Sequence, residues 1–285
     1  MKNILGIGTA GCNIVKQLAT KKQYKIYSLS PEIEKNTKYN CKIDELSSPE
    51  EYEKINLARV HKFLSTIKES CTVFVCGASN SSAITLRALE PLYKEGVKIG
   101  IVYFKPEVEV LSETKRLNER TVRHVLQEYS RSGLFEKIIL VENTILEAMA
   151  GETNVFDYFD QINHVFTTTY HMINVFSNTK PITSTFSKPR ESCRISTIGL
   201  GSLEKNDLLF FPFKQEVEVV YYFGINEEKL RTEGNLLRTI TDKVKQRITE
   251  ETRVSFGIYP TQYEDDYIYV EYFSPKIQQD SVDTE

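Results

Sequence analysis

The chain has 285 residues, 40% of them hydrophobic and 26% charged, enough for one large domain or two ordinary ones with real cores. Its 39 acidic and 36 basic side chains leave a formal charge of −3, so no general basic excess drives it onto nucleic acid or an anionic membrane. Five scattered cysteines (Cys12, Cys41, Cys71, Cys76, Cys193), odd in number and never spaced C-x-x-C, suit free thiols in a reducing cytoplasm and argue against a disulfide framework or a structural zinc site. The longest apolar runs, such as 99–104, are strand-sized. Met1-Lys2-Asn3 leads straight into an apolar strand, so neither secretion nor membrane insertion is expected.

The first half alternates strand and helix signals, which predicts an open α/β sheet. Strands are expected at 3–7, 25–29, 72–75, 98–104 and 137–141. Helices are expected at 13–20, 49–69, 83–94 and 113–129, with turns at 8–11 and 77–82. From 155 to 176 one long helical stretch carries Phe156, Phe159, Ile162, Phe166, Tyr170, Ile173 and Phe176 at three- and four-residue steps. Two Lys-Pro steps among Ser and Thr make 179–191 a loop. Strands at 194–198 and 216–223, a helix at 230–249, and strands at 253–259 and 267–273 then form a smaller α+β unit. The organisation expected is a nucleotide-binding domain over 1–152, a central helix and its loop over 153–192, a C-terminal α+β domain over 193–275, and a disordered acidic tail over 276–285.

Gly6-Ile7-Gly8-Thr9-Ala10-Gly11 is a G-x-G-x-x-G between a strand and a helix. Glycines there permit a tight turn and close approach to a phosphate, and the helix N-terminus offers N–H groups to the anion. The alternative is a tight turn with no ligand. A dinucleotide site also wants an acid closing the second strand, to hold the ribose. Here that strand ends Ser28-Leu29-Ser30-Pro31, and Glu32 lies beyond the proline, which weakens an NAD(P) dehydrogenase reading. The second turn, Gly77-Ala78-Ser79-Asn80-Ser81-Ser82, offers accessible backbone and hydroxyl donors, or is an ordinary Ser/Asn turn. On neighbouring strands the two turns would face one polyphosphate from both sides.

The order of these motifs resembles the tubulin/FtsZ family over most of 2–273. Gly8-Thr9-Ala10-Gly11-Cys12-Asn13 is similar to the first glycine loop of FtsZ, including its guanine-contacting Asn, and 76–82 falls where the family carries GGGTGTG. Lys98-Ile99-Gly100-Ile101-Val102 and Lys105-Pro106 resemble the following strand and turn, and Lys115-Arg116 a basic pair whose arginine lies near the nucleotide. Asn143 ends a strand at the nucleotide rim, and Asn163 resembles the central-helix Asn that reads guanine. Ile198-Gly199-Leu200-Gly201-Ser202 resembles the strand opening the second domain.

The resemblance implies a Rossmann-type N-terminal domain, GTP or GDP with Mg2+ as a candidate companion, and head-to-tail self-assembly. An adaptor protein on the C-terminal tail is a candidate partner, and small size suggests a phage or plasmid relative. Two departures stand out. The second loop keeps one of the signature glycines, Gly77. The loop after the central helix, which in the family completes the neighbour's site with N-x-D-x-x-D, reads Thr183-Ser184-Thr185-Phe186-Ser187-Lys188. Both aspartates are missing, and neither Thr nor Lys accepts a water proton at neutral pH. Hydrolysis is therefore expected to be weak or absent. Alternatives are a degenerate, non-polymerising regulator or a Rossmann-type oxidoreductase. Asp157, Asp160, His164 and His171 share one helical stripe and read as a solvated face more readily than as a metal site. Cys12, at a helix N-terminus, is either a lowered-pKa thiol or a small packed side chain.

Overall fold

The computed structural model describes residues 1–279 apart from Glu53 and Lys188. The chain divides into two compact units, 1–167 and 168 onward.

In the first unit the strands are β1 (Lys2–Ile7), β2 (Tyr24–Ser30), β3 (Asn40–Lys42), β4 (Ser70–Cys76), β5 (Lys98–Lys105) and β6 (Lys137–Glu142). The helices are α1 (Gly8–Leu18), α2 (Pro49–Tyr52), α3 (Ala58–Leu64), α4 (Thr85–Lys94), α5 (Glu113–Arg131) and α6 (Asn143–Ala150), and α7 (Tyr158–Ser177) begins in this unit and belongs to the second from Thr168 on. The strands lie in the order β3-β2-β1-β4-β5-β6, and each neighbouring pair is parallel. Central parallel strands are covered on both faces, so they read as nearly unbroken apolar runs such as Ile101-Val102-Tyr103-Phe104 and Ile138-Ile139-Leu140-Val141, all buried. The order reverses between β1 and β4, where Ile7 lies opposite Val75. An open sheet places its crevice at the carboxyl ends of the strands beside such a reversal.

Right-handed crossovers set α1 on one face of this sheet and α4 and α5 on the other, because the chain steps in opposite directions from β1 and from β4. The start of α7 joins α1. Gln17 donates to the Asp160 carbonyl and accepts from the Thr167 hydroxyl, each at 2.9 Å. Phe166 packs edge-on against Phe104 and Phe74, at 4.8 and 6.0 Å between ring centroids, and burying such a ring is worth about 1.5–3 kcal/mol.

Several boundaries differ from the sequence expectation. The stretch 49–69 is two short helices: Arg87 takes the Tyr52 and Ile55 carbonyls, and the Asn56 side chain accepts from the Ala58 amide. The first glycine turn is already helix, since α1 starts at Gly8 rather than residue 13. A 3-10 turn, Asn80–Ile84, precedes α4. The central helix starts at Tyr158 and not at 155, because Asn154 accepts from the amides of Phe156 and Asp157 in a turn ahead of it.

The second unit contains β7 (Thr183–Ser184), β8 (Ile195–Leu200), β9 (Leu208–Leu209), β10 (Glu218–Asn226), β11 (Arg253–Thr261) and β12 (Tyr267–Ser274). Their order is β8-β12-β10-β11-β7, with β9 also on β8, and only the β10–β11 pair is parallel. Two helices, α8 (Glu227–Thr232) and α9 (Leu236–Arg247), make the crossover from β10 to β11. The expected single helix over 230–249 is thus broken around Gly234, where a helix loses most to backbone entropy. Leu236, Ile240 and Val244 bring α9 onto a core of Tyr221, Phe223, Phe256 and Ile258. Past β12 the tail expected to be disordered from 276 is held at Gln278, whose buried side chain exchanges hydrogen bonds with the Lys214 backbone at 2.8 and 3.1 Å. Residues 280–285 of that tail lie outside the described residues.

Candidate nucleotide site

At the reversal point β1 passes straight into α1 and β4 into a loop, and the first turn of α1 touches that loop. Gly8 has φ +75°, and a Cβ placed there would sit 2.6 Å from the Ser81 hydroxyl. A side chain at this position is therefore strained and also displaces the second loop. Gly11 presses α1 against β4, its missing Cβ lying 2.6 Å from the Phe74 carbonyl oxygen. No side chain caps α1, so the amides of its first turn face the crevice end without an internal acceptor. Thr9 is half-buried, while Ala10 and Asn13 are exposed, the latter accepting from Lys16 at 3.3 Å. Cys12 is buried and donates to the Gly6 carbonyl at 3.3 Å. Burial pushes its thiol up to about 11, so it is the packed side chain of the two readings and no thiolate nucleophile.

The second loop is braced from three sides. The Ser79 and Ser81 hydroxyls lie 2.7 Å apart, and the Ser82 hydroxyl donates to the Ser79 carbonyl at 2.7 Å. The Asn80 amide points away from α1, donating to the carbonyls of Ser47 and Leu46 at 2.9 and 3.3 Å. Ala78 occupies left-handed backbone at φ +59°, where a Cβ costs about 1–2 kcal/mol. Ala78→Gly is therefore expected to stabilise the protein by up to about 1 kcal/mol after the entropy of glycine is deducted. A thermal melt showing a rise of about 2–4 °C would agree with this. A lowered Tm would mean that the loop relaxes elsewhere.

Behind Gly77 stands a cluster that sequence reasoning missed. A Cβ on Gly77 would lie 2.3 Å from the Tyr103 hydroxyl. That hydroxyl donates to Glu119 Oε1 at 3.1 Å, and Arg123 Nε donates to the same oxygen at 2.8 Å. Both members of the Arg–Glu pair are at most 3% exposed. Burial and the Glu119 carboxylate hold the Tyr103 phenol far above its ordinary range, so it stays a donor.

The remaining expected residues fall into two groups. Asn13 lies one turn before Gln17 on α1, and Asn163 lies between Asp160 and Thr167 on α7, the two residues that Gln17 engages. The two asparagines thus sit on facing stripes of neighbouring helices. Asn143, half-buried, opens α6 at the carboxyl end of β6, next to a part-buried Lys105–Glu142 ion pair at 3.1 Å. Arg116 is exposed and holds the approach to α5, donating to the carbonyls of Glu109 and Leu111 at 2.7 and 3.0 Å.

The loop expected over 179–191 contains a short strand. Thr183 is not in a free loop but in β7, paired with Ile258 on β11. Thr185 extends the pairing, its amide donating to the Phe256 carbonyl at 2.8 Å and its hydroxyl accepting from the Phe256 amide at 3.1 Å. The Phe186 ring covers Gly257 and lies 5.6 Å from Tyr222. β-branched threonines on an open sheet edge explain the strand. Lys188 lies outside the described residues. Among the described residues no group of three or more His, Cys, Asp or Glu could hold a metal, and no helix is long and apolar enough to cross a membrane.

No protein-family model matches the chain, and no curated protein matches it in sequence. Solved structures do. FtsZ of M. jannaschii, solved as an empty dimer, is 10% identical with a TM-score of 0.68, over 95% of this chain and 87% of that one. A GTPγS-form protofilament of TubZ from Bacillus thuringiensis serovar israelensis is 11% identical with a TM-score of 0.72, over 96% and 88%. GDP-bound CetZ1 from Haloferax volcanii is 15% identical with a TM-score of 0.67, over 97% and 94%. Identities this low speak to architecture alone, and on that ground the chain has the tubulin/FtsZ fold.

Proposed function

We propose that this chain binds a guanine nucleotide at the carboxyl ends of β1 and β4 and assembles head to tail into filaments, turning the nucleotide over slowly or not at all. The observation that carries the reading is the contact of Gly8 with Ser81, which brings both loops to one point of the sheet. Phosphates would meet the uncapped amides of α1 from one side and the Ser79 and Ser81 hydroxyls from the other. The base would lie toward the facing stripes of Asn13 and Asn163. The two loops contain no carboxylate, so a Mg2+ ion would be held through the phosphates rather than by a protein cage. Two of the structural neighbours, a GTPγS-form protofilament and a GDP-bound monomer, support both nucleotide binding and assembly.

Asn163→Ala is expected to weaken GDP binding about 10-fold or more, since a site built to hydrogen-bond a base loses that bond. Calorimetric titration checks this, and unchanged affinity would mean that α7 does not read the base. A second reading, a degenerate regulator that binds partners rather than polymerising, is favoured by the engagement of 182–185 on the chain's own β11. Pelleting with GTP, with GDP and without nucleotide separates the two, and a monomer under all three conditions would remove the filament claim. The oxidoreductase alternative finds no acid at the end of β2, where Ser28 and Ser30 are buried.

A further inference from the structure

On the face of the first sheet that carries α4 and α5, a cavity of about 340 Å³ opens between α2, the 3-10 turn Asn80–Ile84, α4 and α5. Its apolar wall is Ala83, Leu86, Leu117, Val122, Val125 and Leu126. Leu126 is buried, Leu117 stands 65% exposed at the mouth, and the other four are half-buried. On α5 the wall is one stripe, since 118, 122 and 125 recur at four- and three-residue steps. Glu119 and Arg123 occupy the neighbouring stripe and, through Tyr103, tie α5 to β5. A dry cavity of about 150 Å³ already accepts benzene, so this one has room for a molecule of one or two rings.

The polar groups on the wall decide what it accepts. Ser82 and Thr85 spend their hydroxyl protons on the chain itself, donating to the Ser79 and Ser82 carbonyls at 2.7 Å each. Asn118 differs. It lines the cavity, and its Nδ2 is shut from solvent with no hydrogen-bond partner among the described residues. A buried donor without an acceptor is destabilising, and an acceptor carried in by an occupant would relieve it. The terminal torsion of Asn is broad, so the amide turns toward an occupant at little cost. Among the described residues the wall holds no Lys, Arg or His, and the exposed Glu50 carboxyl stands at its rim. An anion entering there would lose its hydration and meet no cation.

We propose that this cavity is a binding site for a small neutral molecule with an apolar body of one or two rings and one carbonyl, which accepts from Asn118 Nδ2. The site lies wholly in the first unit and requires neither nucleotide nor assembly.

Acetophenone and α-methylstyrene test it, being alike in shape with a methylene in the second where the first has its carbonyl oxygen. NMR titration of the nucleotide-free protein gives both affinities, and their ratio isolates the carbonyl. Asn118→Leu, checked for folding by circular dichroism, is expected to lower that ratio about 10-fold while α-methylstyrene still binds. Asn118→Ala replaces it in the titration if the leucine variant does not fold. Val122→Trp fills the cavity from α5 and should abolish binding of both probes, and Ala83→Leu fills it from the 3-10 turn. A ratio left unchanged by the loss of the amide would overturn the proposal, as would absence of acetophenone binding at millimolar concentration. Binding that persists in a folded, filled variant would place the probes elsewhere and refute it equally.

Discussion

Arg123→Leu is expected to cost about 3–5 kcal/mol of folding stability, the loss typical of breaking a buried ion pair from one side. Arg123 and Tyr103 both donate to Glu119 Oε1, at 2.8 and 3.1 Å, and neither member of the ion pair reaches solvent. Removing the guanidinium leaves a buried carboxylate held by the Tyr103 phenol. The damage also travels, because the Tyr103 hydroxyl sits where a Gly77 side chain would be, directly under the second loop. Urea unfolding should therefore show the stability loss, and GDP affinity should fall with it. Replacing both charges, Glu119→Leu with Arg123→Met, should restore much of the stability, since an apolar pair needs no desolvated charge. A single-variant loss below about 1 kcal/mol would show that Glu119 finds another cation.

Phosphate release above the assembly concentration is expected to run at least ~100-fold below the roughly one per second at which ordinary enzymes begin. A positioned general base contributes about 100- to 10,000-fold, and 179–190 contains no carboxylate to supply it. The described part of that segment is also tied down, Ile182 and Thr185 donating to the carbonyls of Ile258 and Phe256 at 2.8 Å each. Thr185→Asp alone should then change little. With Lys188→Asp added, the rate is expected to rise, because the double variant supplies two acids and removes a cation from this segment. Wild-type turnover near one per second would require a carboxylate elsewhere to orient the water.

Five of the six strands of the first unit, and the turns at Gly8 and Gly77, were legible because their causes are local, whereas the three-residue β3 was not. Buried parallel strands such as β5 and β6 write continuous apolar runs, and Gly8 and Gly77 are glycines for steric reasons visible in a motif. The Tyr103–Glu119–Arg123 cluster was not legible. Its charges sit one turn apart on a polar helix, a pattern that ordinarily marks a solvated face, and only packing against β5 buries them. Helix ends failed where a single side chain decides them, as with Asn154 before α7 and Asn56 before α3. Phe156 and Phe159 fit the spacing of the α7 stripe, yet lie where the helix has not begun or has only just begun, so periodicity assigned them to a core they do not enter. The pairing of β7 with β11 joins Thr183 to Ile258 and Ser184 to Gly257, partners farther apart than any window of the sequence spans.

The central claim is that the meeting of Gly8 and Ser81 forms a guanine-nucleotide site, and equilibrium titration of a fluorescent GDP tests it most directly. The account predicts saturable binding that GTP and GDP displace and that ATP and NAD+ at millimolar concentration do not. No binding at millimolar guanine nucleotide, or displacement by NAD+ as effective as by GTP, would contradict it.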